Sequence, residues 1–262
     1  TLRLIKVWLC VVWVKQQEPE LDRAGHLNVE CSGPRSTKNN HLERVGQVAD
    51  RDALAWQVEI AAAVRSQETR DSLAILERTP VYTVGAQGGQ DHLLVEETRL
   101  QARGAELVKS DRGGDITCHG PGQVVLYTIM NLRRRNLRPA EHVRRLEKTV
   151  IETLETYGLV GRAVKGRPGV WVGPRKIAAI GVSIRGGVTM HGTALNVTTD
   201  LSWFNAIVPC GLHGLGVTSM SRELSTPPMM TDVEEALLAA FARVYETKIK
   251  PTHRSREMVH GI

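Results

Sequence analysis

The chain has 262 residues, of which 42% are hydrophobic, 4% aromatic and 24% charged, and its formal net charge is +6. This composition excludes a disordered protein. No apolar run reaches the roughly 20 residues that span a bilayer, and the scarcity of aromatic residues disfavours a nucleic-acid-binding surface. Four cysteines without a C-x-x-C pair favour a reducing compartment over a disulfide framework, so we expect a cytoplasmic protein with neither membrane nor nucleic-acid partners.

The first part of the sequence differs from the rest. Residues 2–14 are apolar but shorter than a membrane span, and no small-x-small cleavage site follows them. Glu18, Glu20 and Asp22 argue against a transit peptide, and the polar residues 33–40 are typical of a linker. We therefore predict three parts: a non-catalytic N-terminal extension over 1–41, a catalytic domain over 42–250, and a polar tail over 251–262.

A regular hydrophobic pattern begins near residue 42. The spacing predicts a helix over Asp50–Arg65, capped by Asp50 or Asp52. Its expected buried stripe consists of Leu54, Val58, Ala61 and Ala62. Short apolar or β-branched runs then predict strands over 72–77, Val81–Val84, 107–109 and 124–130.

The second half of the chain predicts two more helices around a run of strands. One helix is expected over 139–157, with Pro139 in its first turn and Gly158 at its end. Strands are expected over 169–172, 176–184 and 192–197. A last helix is expected over 232–245, with Thr231 as its cap. Helices on both sides of consecutive strands indicate an α+β domain rather than an alternating βαβ fold.

Residues 112–123 form the most unusual segment of the sequence. Four glycines and a proline in this stretch predict neither a helix nor a strand, and they suit a backbone that passes close to a ligand or adopts positive φ angles. Arg112 and His119 add a fixed cation and a titratable group. A tight hairpin with incidental polar residues is the alternative.

Three further residues could carry chemistry. Lys176 opens an apolar run, although such a lysine often extends its ammonium to solvent. His191 precedes a predicted strand and could simply be a hydrogen-bonded structural group. Cys210 lies between Pro209 and Gly211, and this restricted turn favours an accessible thiol, although a buried, inert thiol is the default for an isolated cysteine. A thiolate is a nucleophile that a nearby ammonium stabilises, so Cys210 and Lys176 could act as a pair.

A zinc site is the competing interpretation of the cysteines and histidines. The candidate ligands are Cys118, Cys210, His119, His191 and His213. Their spacings match no compact zinc signature, so we do not expect a metal.

The motifs of the sequence, taken in order, resemble the lipoyl(octanoyl) transferase family, the octanoyltransferases of lipoate biosynthesis. The resemblance extends from about Val45 to Tyr245. The segments that carry it are 76–85, 112–114, Thr117, 119–123, 169–172, 176–181, 191–192, 194–196 and 209–211.

The resemblance implies a fold and a reaction. The fold is the α+β fold of biotin and lipoate protein ligases, a class II aminoacyl-synthetase-like mixed sheet flanked by helices. The reaction moves an octanoyl group from octanoyl-acyl carrier protein to an enzyme cysteine, and then to a lysine ε-amine on a lipoyl domain. The implied acceptors are the lipoyl domains of 2-oxoacid dehydrogenase E2 subunits and the glycine cleavage H protein. No cofactor or metal is implied.

The resemblance also implies roles for particular residues. Cys210 is the acyl-thioester nucleophile, and Lys176 lowers the pKa of that thiol. The implied substrate-binding residues are Arg112, Gly113, Gly114, Asp115, Ile116, Thr117, Cys118, His119, Ala179, Ile180, Gly181, Gly192, Thr193 and Ala194.

Three positions depart from the family pattern. The family usually has His at the position of Arg78, Arg at the position of Ala86, and an aromatic residue at the position of Cys118. Cys118 places a second thiol beside His119, so it competes with Cys210 as the candidate nucleophile. Arg78 and Ala86 affect carrier or loop contacts rather than the chemistry.

Two alternative functions remain. An ATP-dependent lipoate or biotin protein ligase has a similar fold but does not need the cysteine of Pro209-Cys210-Gly211. A non-catalytic paralogue could bind the same carrier proteins. Residues 133–148 contain seven basic and two acidic side chains, and we expect this basic stretch to attract an acidic carrier protein.

Overall fold

The computed structural model describes residues 12–15, 39–89, 92–208 and 216–251. These residues form twelve strands: β1 (Val12–Lys15), β2 (Asn39–Val48), β3 (Ser72–Arg78), β4 (Val81–Val84), β5 (Glu106–Lys109), β6 (Ile116–His119), β7 (Gln123–Ile129), β8 (Arg162–Val164), β9 (Arg167–Val172), β10 (Arg175–Arg185), β11 (Val188–Asn196) and β12 (Lys248–Pro251). Their helices are α1 (Asp50–Arg65), α2 (Glu97–Ala102), α3 (Pro139–Glu155), α4 (Met220–Glu223) and α5 (Met230–Val244), with a 3-10 helix over Leu201–Ala206.

The strands form one large and one small sheet. The large sheet has the order β12-β2-β3-β7-β11-β10-β9-β8, and β1 also pairs with β10. The pairs β1–β10, β12–β2 and β2–β3 are parallel and the other pairs of this sheet are antiparallel, so the sheet is mixed. The small sheet has the order β5-β4-β6. The predicted α+β architecture, a mixed sheet flanked by helices, is confirmed.

The two faces of the large sheet are covered by different helices. Helices α3 and α5 pack against one face, where they form a core with residues that include Leu73, Ile75, Leu126, Leu146, Val150, Val182, Leu195, Leu237 and Phe241. Helix α1 covers the opposite face, with a core that includes Ala53, Trp56, Val64, Ala74, Leu76, Val125, Tyr127, Met190 and Ala194. Successive strand residues face opposite sides, which is why β2, β3, β7 and β11 contribute to both cores. No helix within the described ranges is long and apolar enough to cross a membrane.

Helix α1 has the predicted bounds but buries a different face. Its buried residues are Ala53, Trp56, Gln57, Ala61 and Val64, whereas Val58 of the predicted stripe is 55% exposed. The predicted stripe is therefore right for Ala61, which is buried, and wrong for Val58 and Ala62, which are exposed. The alanine-rich helix has two faces of similar hydropathy, and the packing of the large Trp56 ring decides between them.

The predicted helix caps are also wrong. Ala49 occupies the N-cap position of α1, and Asp50 instead pairs with Arg78 across the domain. Helix α5 begins at Met230 with Met229 as its N-cap residue, so Thr231 lies inside the helix. The end of α3 agrees better: Gly158 follows it with φ +73°, as expected for a glycine that terminates a helix.

Five strands were not predicted, namely β1, β2, β6, β8 and β12, and two of them show why. β2 is a polar sequence, and it is stabilised by parallel pairing with β3 on one side and β12 on the other. β6 lies inside the glycine-rich segment, where pairing with β4 stabilises an extended backbone that local propensity disfavours. The predicted domain boundary at residue 42 falls within β2, and the division of the chain into three parts stays a prediction.

Candidate active site

A cleft lies between the α1 face of the large sheet and the small sheet. The space inside it, with the open mouth counted, is about 740 Å³. Most of the predicted site residues line it: Lys176, Arg112, Gly113, Gly114, Asp115, Thr117, His119, Ala179, Ile180, Gly181, Gly192, Thr193 and Ala194. The cleft therefore brings together segments that are far apart in the sequence.

Small residues make the floor of this cleft flat. Ala179 pairs in register with Ala194, and Gly181 pairs with Gly192. A Cβ atom at Gly181 would lie 3.0 Å from the Gly113 carbonyl oxygen and 3.2 Å from Arg112 Cδ. The glycine-rich loop thus rests directly on the sheet, and a larger residue at position 181 would push it away.

Arg112 braces this loop from within. Its Nε and Nη2 atoms donate to Thr83 Oγ1 at 3.0 and 2.7 Å, and its Nη1 atom donates to the Gly113 carbonyl at 3.2 Å. The side chain is buried, so these hydrogen bonds replace the lost water contacts of a charged group. Arg112 holds the shape of the cleft wall while it lines the cleft.

A glycine-rich backbone that passes close to a ligand could donate N–H groups to it, but three of these glycines donate within the domain instead. The Gly113 N–H donates to the Val182 carbonyl at 2.9 Å, and the Gly114 N–H donates to Gln87 Oε1 at 2.5 Å. The Gly122 N–H donates to Glu77 Oε2 at 2.6 Å. These N–H groups hold the loop in place.

β6 divides the predicted residues between two environments. Thr117 and His119 face the cleft, whereas Ile116 and Cys118 pack with Tyr82 in a separate apolar core. Burial raises the pKa of the Cys118 thiol to about 12. A thiol that stays protonated and buried is a poor nucleophile. Cys118 and Ile116 therefore lie outside the cleft that contains the other predicted residues.

The hydrogen bonds around His119 define its tautomer. Asn196 Nδ2 donates to the Thr218 carbonyl at 3.0 Å, so Asn196 Oδ1 accepts from Gln123 Nε2 at 2.8 Å. Gln123 Oε1 then accepts from His119 Nδ1–H at 2.7 Å, which leaves Nε2 as an acceptor. Removal of the ring from water and the charges of Arg78 and Arg112 lower the pKa of His119 to about 3, so the ring is neutral.

Lys176 lies near the start of β10, where several contacts fix it. Its backbone N–H donates to the Gly216 carbonyl, and its carbonyl accepts from the Thr218 N–H, both at 2.9 Å. The side chain is 8% exposed, and Nζ lies 5.7 Å from the centroid of the Trp171 ring. The ammonium is therefore held in the cleft rather than extended to solvent.

Gly169 and Glu147 lie beside Lys176, and the sequence interpretation did not select either of them. Gly169 has φ +117°, and a Cβ atom there would lie 2.5 Å from Lys176 Cε. The Gly169 N–H donates to Glu147 Oε1 at 3.2 Å. A signal for Glu147 was present, because this acid interrupts the apolar face of α3 between Val143 and Val150.

Another part of the cleft contains a buried ion pair at a position that departs from the family pattern. Arg78 is 4% exposed and hydrogen-bonds to Tyr127 and Asp50, all of which line the cleft. The contacts of Arg78 are thus internal to the domain. Ala86, the second departure, donates its N–H to the Arg112 carbonyl at 2.9 Å.

His191 and Asp111 form a further polar pair in this region. His191 has φ +63°, an uncommon value for a residue other than glycine, and its Nε2 atom lies 2.7 Å from Asp111 Oδ1. Burial alone would raise the pKa of Asp111, but the hydrogen bond and charge of His191 and the charge of Arg185 outweigh it and lower the pKa to about 2.

This lowered pKa predicts a pH-dependent loss of stability in an Asp111→Asn variant. The ionised carboxylate stabilises the fold above its unfolded pKa of about 3.9, and this contribution disappears as the pH falls toward 2. We expect the variant to unfold at lower urea concentration than the wild type at pH 6. The difference should narrow below about pH 4. A difference that stays constant across this range would contradict the assignment.

Cys210 and His213 lie outside the described residues. The residues on either side of this segment are hydrogen-bonded to the domain: the Val208 N–H donates to the His92 carbonyl at 2.8 Å, and the Gly216 carbonyl accepts from the Lys176 N–H. Within the described ranges, no three His, Cys, Asp or Glu side chains are arranged to hold a metal ion. The nucleophilic role of Cys210 stays a prediction from the sequence.

Solved structures show the class of fold. A lipoate-protein ligase A bound with ATP superposes with a TM-score of 0.68 at 15% identity, covering 84% of this chain and 91% of that chain. A biotin protein ligase from Aquifex aeolicus in complex with biotin and ATP gives a TM-score of 0.50 at 10% identity, covering 79% and 70%. The fold is that of lipoate and biotin protein ligases, as predicted.

Sequence relatives define the family more closely. The Lipoyl protein ligase A/B catalytic domain matches residues 50–242. An octanoyltransferase of Roseiflexus sp. (strain RS-1) is 45% identical over 73% of this chain and 82% of its own length. One from Chloroflexus aurantiacus is 44% identical over 77% and 92%. The chain belongs to the lipoyl protein ligase A/B catalytic domain family, and its relatives make it an acyltransferase.

Proposed function

We propose that this protein transfers an octanoyl group from a carrier-protein thioester to a lysine ε-amine of a lipoyl domain, in lipoate biosynthesis. The observation that carries the proposal is the cleft, which is lined by Lys176 and by small residues of the paired strands β10 and β11. Burial of about six methylenes there is worth at most ~5 kcal/mol. The octanoyltransferase relatives at 39–46% identity support the same reaction.

In the first half of the reaction, the Cys210 thiolate attacks the thioester carbonyl. The bond from the carbonyl carbon to the carrier sulfur breaks, and the carrier thiolate takes the proton that Lys176 received from Cys210. In the second half, the neutral ε-amine of the acceptor lysine attacks the enzyme thioester and the bond from the carbonyl carbon to Cys210 Sγ breaks. Lys176, neutral after the first half, takes the proton that the amine loses, and Cys210 leaves as a thiolate. The thioester is already activated, so the exchange consumes no ATP.

The described residues around Lys176 support its role as the partner of Cys210. The backbone of Lys176 is hydrogen-bonded to Gly216, which is six residues from Cys210 in the chain. Six extended residues span at most about 20 Å, so the chain keeps the thiol within that radius of Gly216. A nearby ammonium favours the thiolate, and this is how Lys176 would lower the pKa of Cys210.

We propose octanoyl-acyl carrier protein as the donor, and lipoyl domains of 2-oxoacid dehydrogenase E2 subunits and the glycine cleavage H protein as acceptors, all in the cytoplasm. One structural relative is a bi-partite lipoate protein ligase from Thermoplasma acidophilum, described with its E2 lipoyl domain.

The basic stretch 133–148 offers less free charge than its composition predicts. Arg134 and Arg135 pair with Asp71, Arg145 with Glu141, and Lys148 with Glu152.

The experiment that tests this function compares two acyl sources with a purified lipoyl domain as acceptor. Octanoyl-acyl carrier protein without ATP should octanoylate the domain, whereas free octanoate with ATP and Mg²⁺ should not. The opposite pattern would identify an ATP-dependent ligase, and no product from either source would identify a non-catalytic paralogue. Mass spectrometry of the lipoyl domain distinguishes the three results.

A further inference from the structure

Glu147 is a buried acid on an otherwise apolar face of α3. It is 9% exposed and lies between Val143 and Val150, which are both buried in the core beneath the large sheet. An ionised carboxylate in such a place is unfavourable unless hydrogen bonds and opposite charges compensate for the lost water. The groups that compensate it indicate what the residue does.

The compensation comes from three elements of the structure. Strand β9 supplies the Gly169 N–H, which donates to Glu147 Oε1 at 3.2 Å. Strand β10 supplies the charge of Lys176, and α3 itself supplies that of Arg144. Burial raises the pKa of Glu147, and these three groups offset that increase only in part. The lysine assigned to the reaction is therefore one of the groups whose charge acts on Glu147.

Gly169 links the acid to the lysine physically. The position of a Cβ atom on Gly169 is 2.5 Å from Lys176 Cε and 3.3 Å from Nζ, so the lysine side chain lies directly against this peptide. The Trp171 ring lies near the same ammonium, with its centroid 5.7 Å from Nζ. By holding the Gly169 peptide, Glu147 fixes a surface on which Lys176 rests.

We propose that Glu147 is a positioning residue that orients Lys176 and keeps a proton on it while Cys210 is a thiolate. The proposal rests on the proposed function. The proton moves from Cys210 Sγ to Lys176 Nζ and then to the leaving carrier thiolate. Glu147 itself exchanges no proton in these steps. Its negative charge favours the state in which the lysine is charged.

The test is the pH dependence of the first half-reaction in Glu147→Gln. Glutamine keeps an oxygen that accepts from Gly169 N–H and removes only the charge. The alkaline limb of single-turnover acylation reports the loss of the proton shared by Lys176 and Cys210. We expect the apparent pKa of this alkaline limb to be about one unit lower in the variant than in the wild type. At pH values above both limbs, the variant should therefore acylate roughly tenfold more slowly than the wild type. The KM for the octanoyl carrier should not change.

Glu152→Gln is the matched control. Glu152 lies on the same helix and pairs with Lys148 and Arg243. Its pH profile should superpose on that of the wild type, because its charge is engaged by those two side chains.

The outcomes separate this proposal from the proposed function. A folded Glu147→Gln enzyme whose rate falls equally at every pH, or not at all, would overturn the positioning role. A wild-type enzyme that forms no acyl intermediate would overturn the function itself. If Glu147→Gln does not fold, Glu147→Asp replaces it. That variant keeps the charge, so its alkaline limb should stay in place even if its rate falls, and a shifted limb would overturn the proposal.

Discussion

Replacing Lys176 by alanine is expected to lower the rate of acylation by octanoyl-acyl carrier protein by roughly 10²–10⁴-fold, the usual contribution of a general acid–base group. The variant loses both the proton acceptor for the Cys210 thiol and the charge that favours the thiolate. Lys176→Arg should be similarly impaired, because a guanidinium keeps its proton at all accessible pH values. Rapid-quench mass spectrometry of the acyl-enzyme measures these rates.

Lys148→Ala is the control for this series. Lys148 is exposed on α3 and pairs with Glu152, so its loss should leave the acylation rate at a saturating carrier concentration unchanged. Full activity in Lys176→Arg would contradict the assignment of Lys176 as the proton carrier. Equal losses of acylation rate in Lys148→Ala and Lys176→Ala would show that the rate depends on the net positive charge of the protein and not on the place of Lys176 in the cleft.

A single methyl group at Gly169 is expected to disable the enzyme almost as completely. The Cβ atom of Gly169→Ala would lie 2.4 Å from the Ala178 carbonyl oxygen and 2.5 Å from Lys176 Cε. Either β9 or Lys176 must move, and a displacement of about 1 Å in a catalytic group can cost roughly 10²-fold in rate. We expect kcat to fall by that order while the KM for the carrier changes little.

Gly173→Ala provides a matched comparison. Gly173 also has a positive φ, +55°, and lies in the turn after β9, but nothing lies within 4 Å of its Cβ position. Its replacement adds backbone strain of about 1 kcal/mol without displacing Lys176. Gly173→Ala should therefore lower the melting temperature and retain kcat. If both variants retained kcat, the contact between Gly169 and Lys176 would have no role in catalysis.

The sequence predicts the strongly patterned elements well. The α1 bounds, the β4 bounds and the glycine stop after α3 follow from hydrophobic spacing and local backbone preference. β2 and β6 could not be predicted in the same way, because distant strands in the sheets supply the pairing that stabilises them. The buried face of α1 likewise depends on what packs against Trp56.

The candidate site shows the same division. The resemblance predicts Lys176, Gly181 and Gly192, and these residues line one cleft. It also includes Cys118. Successive side chains of β6 face opposite sides, so Cys118 packs in a separate apolar core and not in the cleft. Glu147 was outside the prediction, because its link to Lys176 exists only after α3 packs beneath β9.

The most direct test of the account is the intact mass of the enzyme after incubation with octanoyl-acyl carrier protein, followed by peptide mapping. We predict a gain of one octanoyl group on Cys210 that disappears in Cys210→Ser and remains in Cys118→Ser. The buried Cys118 thiol, with a pKa of about 12, should stay unmodified throughout. An adduct that persists in Cys210→Ser, or no adduct on the wild-type enzyme while a lipoyl domain is still octanoylated, would contradict the covalent mechanism.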